Sequence, residues 1–167
     1  MRLELHVDGP EDGEPQSPIP LSAWGPLGRV LEGELASLYP EIVRYGTVEL
    51  SVTLLGPDEM RSVNREYRDR DEATDVLSFP LWEADGRFVP DGALTELLPL
   101  GDILICPEEV ARLHEGLPPE DALCLVLAHG FLHLLAWDHD TEERESAMWA
   151  RQDAVKQRLL DVLRGGL

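Results

Sequence analysis

Lysine is almost missing from this chain, and basic side chains of either kind are scarce. Lys156 is the only lysine among 167 residues, and 14 Lys and Arg stand against 33 Asp and Glu, for a formal net charge of −19 at pH 7. Such an acidic balance argues against broad nonspecific adhesion to nucleic acid or to an anionic membrane. A local basic patch stays open as an alternative, because exposed charges more than about 8 to 10 Å apart are largely screened at physiological salt.

Cysteine and long apolar runs are scarce as well. Cys106 and Cys124 are too few for a disulfide scaffold, and their apolar neighbours indicate reduced core residues. The apolar run at 122–137 is shorter than the roughly 20 residues of a membrane span, and it contains two histidines. The first residues alternate like a strand and lack the apolar core of a signal peptide. We therefore expect a soluble, cytoplasmic protein.

Size and element order predict one α+β domain over residues 1–167, with a small mixed sheet packed against helices and one buried helix at the centre. Alternating or apolar patterns predict strands at 1–6, 48–54, 75–80 and 101–106. Helical patterns follow Pro26 and end at Tyr39-Pro40, run from about Pro57 to Arg68, begin at Pro107 and Pro118, and resume after Asp140.

The remaining segments predict connections and helix ends. Residues 9–20 have the proline and glycine content of a loop, and residues 81–100 form a long loop or a distorted hairpin. Asp140 and Glu143 resemble a capping box at the start of the last helix, which closes at Gly165-Gly166.

Three histidines lie close together near the end of the chain. His129 and His133 are four residues apart, which on a helix places both rings on one face, a turn apart. His139 follows after a stretch too short for another packed element, so the chain must turn back if its ring is to meet the other two.

These histidines are either buried residues with separate hydrogen-bond partners or ligands of one metal ion. An apolar helix is a buried helix, and each unpartnered imidazole within it would cost roughly a few kcal/mol. One ion would satisfy both rings, which favours the metal. Three protein ligands leave a fourth position open, as in catalytic zinc sites.

The spacing His-x3-His-x5-His also occurs in zinc proteases of the H-E-x-x-H kind. Their glutamate, which serves as general base, follows the first histidine, and this chain has Gly130 at that position. Peptide hydrolysis by that route would therefore lack its base.

The histidines belong to longer motifs that point to a known family. His129-Gly130-x-x-His133-x-x-x-x-Asp138-His139 resembles the signature of the YbeY family of metal-dependent endoribonucleases, which act in bacterial ribosomal RNA maturation. Residues 64–80 and 101–103 resemble that family's second and third motifs. The resemblance implies an α+β domain with the ligand helix at its centre. It also implies His129, His133 and His139 as ligands of one Zn²⁺ ion, and Arg68 as a functional arginine near the metal that meets the substrate phosphate.

One departure from the family pattern falls within the turn between the ligands. The family usually has Gly-Tyr before the final Asp-His, and this chain has Ala136-Trp137. A Cβ in left-handed backbone costs roughly 1 to 2 kcal/mol. We therefore expect the turn to bend at a neighbouring residue.

The predicted function is hydrolytic cleavage of single-stranded RNA, with ribosomal RNA as the implied substrate. Zinc would supply an activated water and Arg68 would stabilise the transition-state charge. The acidic surface suggests a ribosomal or other protein partner, and the oligomeric state is not visible in the sequence. Two alternatives stay open: a ribosome-associated assembly or adaptor protein braced by a structural metal, and a hydrolase of another ester or amide, since no residue fixes the scissile bond.

Several further residues have two interpretations each. Asp138 could orient a ligand imidazole or be an ordinary turn aspartate, and Asp102 could serve the site or merely end a strand. The arginines at 61, 65 and 68 form a basic stripe that is either a phosphate track or a solvated face paired with Glu66, Asp69 and Asp71.

The other histidines and two aromatic residues are weaker candidates. His114 is expected to suit a helix C-terminus rather than to bind metal, and His6 is expected to have no chemistry. Trp82 and Phe88 could stack on bases, although core packing is the preferred interpretation.

Overall fold

A four-stranded mixed sheet frames the molecule in a computed structural model that describes residues 1–9 and 17–165. The strands within these residues, in chain order, are β1 (Arg2–Asp8), β2 (Thr47–Leu54), β3 (Val76–Pro80), β4 (Glu83–Ala84), β5 (Arg87–Phe88) and β6 (Leu97–Ile105). The main sheet has the order β1-β2-β6-β3, in which β1, β2 and β6 are parallel and β3 is antiparallel to β6. β4 and β5 form a separate hairpin.

Among the described residues, five α-helices accompany these strands: α1 (Leu21–Leu38), α2 (Pro57–Arg68), α3 (Pro107–Leu113), α4 (Pro119–Leu134) and α5 (Glu142–Leu163). A short 3₁₀-helix at Pro40–Arg44 follows α1. α4 contacts β3 and β6 on one side and α3 and α5 on the others, and most of its side chains are buried. The predicted α+β class and the central buried helix are confirmed.

The start of the first helix differs from the prediction. α1 begins at Leu21 and contains Pro26, although proline removes a backbone donor and crowds the preceding turn. Its apolar stripe extends upstream of the proline, since Trp24 is buried together with Leu27 and Leu31. Packing of this stripe against the core offsets the local cost, and the helix continues through the proline.

Strand β6 is longer than predicted. A bulge near its middle interrupts the sequence pattern, so the first half was not recognised as a strand. β6 starts at Leu97, and its pairing with β2 shifts between Glu49 and Leu50, which leaves Leu100 unpaired. Gly101 has a φ of 138°, and a Cβ there would lie 2.4 Å from the carbonyl oxygen of Phe79. Only glycine fits this close approach of two backbones.

Residues 81–100 were predicted to form either a long loop or a distorted hairpin. The structure has a hairpin there, formed by β4 and β5. Asp85 and Gly86 connect β4 to β5 with φ values of 51° and 74°. Two successive left-handed residues in an Asp-Gly pair are typical of a type I′ hairpin turn.

The cap of the last helix lies one residue later than the predicted capping box. Thr141 is the N-cap of α5, and its hydroxyl accepts a hydrogen bond from the backbone N–H of Arg144 at 3.1 Å. The Asp140 carboxylate instead accepts from the Arg144 guanidinium at 2.8 and 2.9 Å. At the other end the chain turns at Gly165, which has a φ of 80°. Gly166 and most of the predicted loop at 9–20, residues 10–16, lie outside the described residues.

None of the helices within residues 1–9 and 17–165 combines the length and the hydrophobicity that crossing a membrane requires.

Candidate active site

α4 brings His129 and His133 together at its C-terminal end. The helical spacing stacks the two rings one turn apart, with centroids separated by 4.4 Å. Their Nε2 atoms face each other at 2.9 Å. The prediction that the spacing puts both imidazoles on one face is confirmed.

The other nitrogen of each ring is already hydrogen-bonded. His133 Nδ1 lies 2.8 Å from the backbone carbonyl oxygen of Trp137, and since a carbonyl only accepts, the proton of His133 is on Nδ1. His129 Nδ1 lies 2.7 Å from Oε1 of Gln152 and donates to it in the same way. Both Nε2 atoms are therefore unprotonated lone-pair donors when the rings are neutral.

Burial keeps both rings neutral. Burial, and secondarily the neighbouring His129, lower the pKa of His133 to about 4. The pKa of His129 is also lowered, chiefly by burial. A metal ligand must be a neutral imidazole, so both residues are in the required form at pH 7.

His139 reaches the other two rings from the loop after α4. Its ring centroid lies 5.7 Å from that of His129 and 5.4 Å from that of His133. One ring nitrogen from each histidine falls within 4.8 Å of those of the other two. The ring of His139 also stacks on Trp149 of α5 at 5.4 Å. The predicted return of the chain to form a three-histidine cluster is confirmed.

The turn that returns the chain bends at Ala136, not at a neighbour as the sequence led us to expect. Ala136 has a φ of 65°. The backbone N–H of Trp137 donates to the Leu132 carbonyl at 3.0 Å and that of Ala136 to the His133 carbonyl at 3.1 Å. These two bonds are those of a Schellman motif, which places its left-handed residue at this position whatever the side chain.

The donor set of this cluster fits a metal ion. Two lone pairs that face each other at 2.9 Å with no proton between them repel, unless a cation lies between them. Metals such as zinc bind imidazole nitrogens at about 2.0 to 2.1 Å, so nitrogens this close together suit one ion. The three histidines could therefore hold a metal, with Gln152 and the Trp137 carbonyl orienting two of the rings.

A cleft of about 570 Å³ opens beside the cluster. All three histidines line it, and so do Arg68 and the pair Asp75 and His114. Arg68 is the last residue of α2, its side chain is exposed, and it forms no ion pair within residues 1–9 and 17–165. An anion that entered the cleft would therefore meet this guanidinium without first breaking another pair.

The basic stripe on α2 divides into two parts. Arg61 forms a two-pronged pair with Asp71 at 2.8 and 2.9 Å, and Arg65 lies 3.8 Å from the same carboxylate. This is the solvated, paired face that one interpretation predicted, and it describes two of the three arginines. Arg68 alone lines the cleft.

Asp138 and Asp102, which each had two interpretations, occupy different surroundings. The Asp138 carboxylate accepts from the backbone N–H of His139 at 2.7 Å, so it braces the turn that carries this histidine and contacts no ring nitrogen among the described residues. Asp102 is exposed on β6 and is not part of the cleft wall. The geometry favours the turn role for Asp138. Asp102 lies within β6 and not at its end, so it does not end a strand as one of its two interpretations predicted.

The remaining candidates occupy simpler positions. Trp82 donates from Nε1 to the Pro99 carbonyl at 2.6 Å and packs against the core, and Phe88 packs edge-on against Tyr39 at 4.9 Å. His6 lies on the sheet near Glu4 and Glu49, outside the cleft wall.

Two features of the cleft carry little or no signal in the sequence. Gln152 carries a weak signal, since it places an amide within the buried stripe of Met148, Val155 and Leu159 on α5. The contact of His114 with Asp75, at 2.9 Å, carries no local signal because 39 positions separate the two residues.

Comparison with known proteins is consistent with this site. A family model described as Endoribonuclease YbeY matches residues 29–160, a range that contains the three histidines and Arg68. Endoribonuclease YbeY from Staphylococcus aureus strains JH9, Newman and JH1 is in each case 42% identical over 109 residues, which span 64% of this chain and 70% of the relative. A solution structure of a Thermotoga maritima protein superposes with a TM-score of 0.55 at 26% identity, over 97% of this chain and 93% of that protein.

Proposed function

The chain belongs to the YbeY family of endoribonucleases, and on that premise we propose that it cleaves single-stranded RNA hydrolytically, in ribosomal RNA maturation. His129, His133 and His139 hold one Zn²⁺ ion, and Arg68 binds the phosphate that is cut. The observation that carries the proposal is the pair of facing ring nitrogens of His129 and His133, 2.9 Å apart. They lie in the wall of a cleft that also contains Arg68, which forms no ion pair with any described residue.

Zinc suits three imidazole ligands with an open fourth position. When bound, the ion would lower the pKa of a water molecule and act as a Lewis acid toward a phosphoryl oxygen. Gln152 and the Trp137 carbonyl keep the protons of His129 and His133 on Nδ1, so that both Nε2 atoms stay available as ligands. The exposed guanidinium of Arg68 donates to the phosphate oxygens, where negative charge spreads in the transition state.

Packing around Gly130 argues against the peptidase alternative. A Cβ at this position would lie 2.9 Å from Cγ2 of Ile103 and 3.2 Å from Oγ of Ser78. These atoms belong to β6 and β3, so the sheet lies directly against the helix where a protease would carry its glutamate. The site therefore has neither that base nor room for it.

The shape and charge of the molecule support a single-stranded substrate and a protein partner. A cleft of about 570 Å³ has the volume of a small-molecule site, which suits a flexible strand whose bases can be splayed apart. With a net charge of −19, the body of the protein repels a polyanion at long range. We infer that a cytoplasmic ribosomal partner contributes to the recruitment of this acidic protein to its RNA.

The decisive experiment is a cleavage assay with purified protein on single-stranded and duplex RNA of the same sequence. We expect cleavage of the single strand, loss of cleavage on treatment with a chelator, and recovery when zinc is added back. Arg68→Ala should lower the rate about 10²- to 10³-fold, as the loss of one transition-state donor does, with zinc content unchanged. Arg70→Ala is the matched control, because Arg70 is exposed on the same segment and outside the cleft wall, and it should cleave at the wild-type rate.

The same protein separates a catalytic metal from a structural one. If the protein stays folded after a chelator removes the metal but no longer cleaves RNA, the metal is catalytic. If the protein unfolds, the result favours the alternative of an assembly or adaptor protein with a structural metal. Retention of both zinc and RNA cleavage by His133→Ala would contradict the proposal.

A further inference from the structure

We propose that His114 is a second catalytic residue of this cleft, outside the three-histidine cluster, and that it protonates the ribose oxygen that leaves when the RNA phosphodiester is hydrolysed. Asp75 positions it. This inference rests on the proposed RNA cleavage and extends it, since it assigns the general acid of the reaction.

The fold places this pair in the wall of the cleft from two separate elements. His114 is the C-cap of α3, where its backbone N–H donates to the Val110 carbonyl at 3.0 Å. Asp75 immediately precedes β3. Both side chains line the same cleft as the three histidines and Arg68. Their exposed fractions, 25% for His114 and 21% for Asp75, leave them accessible to a substrate but largely shielded from bulk water.

The hydrogen bonds of Asp75 fix the orientation of the His114 ring. Oδ1 of Asp75 accepts from the backbone N–H of Val76 at 2.8 Å and from the Thr74 hydroxyl at 3.3 Å. Oδ2 lies 2.9 Å from Nε2 of His114 and accepts its proton. A carboxylate held in this way fixes the orientation of a catalytic imidazole and directs its second nitrogen away from the carboxylate.

The second ring nitrogen of His114 is left for the substrate. Nδ1 makes no hydrogen bond within residues 1–9 and 17–165. His129 and His133 cannot take this role, because each has one ring nitrogen bonded to a protein partner and the other directed at the metal position. His139 directs one nitrogen at the same position and belongs to the proposed ligand set. Arg68 cannot either, because a guanidinium does not release its proton in proteins. Histidine is the side chain that most often transfers protons at neutral pH.

The reaction balances with one water and one proton carrier. The water oxygen bonds to phosphorus and releases a proton to solvent, while the bond between phosphorus and the leaving ribose oxygen breaks. That oxygen takes the proton from Nδ1 of protonated His114, which becomes neutral and is reprotonated by solvent. One phosphodiester and one water give one phosphomonoester and one hydroxyl group.

The test compares two leaving groups in one RNA sequence. The cleavage products of the natural RNA first identify which bridging oxygen leaves from phosphorus. The first substrate keeps this oxygen, and the second has sulfur in its place. A thiolate departs without protonation, so the second substrate does not need a general acid. The variant is His114→Gln, because the glutamine amide can still donate to Asp75 from the position of Nε2 but cannot transfer a proton. His6→Gln is the matched control, being another histidine beside carboxylates but outside the cleft wall.

We expect His114→Gln to lower cleavage of the oxygen substrate about 10²- to 10⁴-fold, the usual contribution of a general acid, and to cleave the sulfur substrate at close to the wild-type rate. Zinc content and the urea midpoint of unfolding should stay at wild-type values, and His6→Gln should match the wild type on both substrates. Asp75→Asn provides an independent second variant, with a smaller loss and the same recovery on sulfur.

Equal losses of His114→Gln on the two substrates, or no loss on either, would overturn the assignment. Equal losses would mean that His114 only holds Asp75 and β3 in place. Failure of the wild-type protein to cut RNA would instead contradict the proposed function, so the two failures are distinguishable.

Discussion

The backbone of Ala136 determines where His139 lies. Its left-handed conformation, with a φ of 65°, closes α4 and sends the chain back toward the cluster. Left-handed backbone is costly for a residue with a Cβ, by roughly 1 to 2 kcal/mol. The hydrogen bonds of the Schellman motif, together with the burial of Ala136, retain this conformation in spite of the cost.

We expect Ala136→Gly to raise the free energy of unfolding by up to about 1 kcal/mol, because glycine relieves the strain and loses only a small buried methyl group. Ala150→Gly is the control, since this residue is exposed within α5 and the same substitution there should lower stability by about 1 kcal/mol. Urea unfolding of the two variants measures the difference. A decrease for Ala136→Gly as large as that of the control would show that the position is not strained.

Gln152 acts on the site through His129. It is 8% exposed, and its side-chain oxygen is the acceptor for the Nδ1 proton of His129. Partners of this kind fix the tautomer of a ligand imidazole, and their removal commonly weakens metal binding about 10- to 100-fold.

We therefore expect Gln152→Leu to weaken zinc binding about 10- to 100-fold in a competition titration against a chelator. Gln152→Glu should bind close to the wild type, because a carboxylate also accepts the Nδ1 proton. Gln157→Leu, on the exposed face of α5, serves as the control and should leave the affinity unchanged. Unchanged affinity in Gln152→Leu would mean that His129 does not need this partner.

At the residue scale, the sequence predicts groups whose relation is local and misses those whose relation is distant. The cluster of His129, His133 and His139 could be predicted because its members are joined by a helix turn and a short loop. The partners Gln152 and Asp75 could not, since 23 and 39 positions separate them from the histidines that they contact. Such distances are closed only when helices and strands pack.

At the scale of elements, α4 combines core packing with the metal site. Its length and apolar sequence make it the buried centre of the fold, and the same burial lowers the pKa values of the two histidines that it carries. In the metal-free folded protein both imidazoles are therefore neutral at pH 7. As the pH falls, the same two histidines take up protons more readily in the unfolded chain than in the folded one.

This gives the metal-free protein a defined response to acid. The pKa of His133 falls from 6.5 to about 4 on folding. Its contribution to stability is thus complete above pH 6.5 and is lost as the pH falls from 6.5 toward 4, because the unfolded state binds the proton first. Urea midpoints measured in the presence of a chelator should decrease over this interval. The decrease should be shallower in His133→Asn and unchanged in His6→Gln, and a wild-type midpoint that stayed constant over the interval would contradict the expectation.

The boundaries of the elements were less predictable than their types. The strand β6 was recognised only from Gly101 onward, because Pro99 and the bulge at Leu100 interrupt its pattern, and pairing with β2 and β3 restores it. The cap of α5 fell on Thr141 because Asp140 is paired with Arg144. In both cases the sequence allows two positions for the end of the element, and contacts with neighbouring residues select one of them.

At the scale of the whole molecule, charge is the dominant feature. A net charge of −19 on 167 residues means that the folded state confines many acidic groups that repel one another. Ion pairs such as that of Arg61 with Asp71 leave this excess unchanged, because the basic side chains are already counted in the net charge.

We expect salt to stabilise the protein. Raising sodium chloride from low to physiological concentration shortens the screening length to about 8 Å and weakens the repulsion, so the melting temperature should rise by several degrees in a scan at pH 7.5. Neutral sucrose at matched osmolality controls for general solvent effects. A melting temperature that falls with salt would show that attractive ion pairs outweigh the repulsion.

The sequence by itself determined the class of the fold, the buried central helix and the three histidines, because periodicity and short spacing are properties of local backbone geometry. Only the tertiary structure decided which groups surround these histidines. It separated Arg68 from the rest of its stripe, and it brought Gln152 and the His114–Asp75 pair to the cleft. The physical reason is that these relations depend on packing between elements distant in the chain, where burial and hydrogen-bond geometry outweigh local preference.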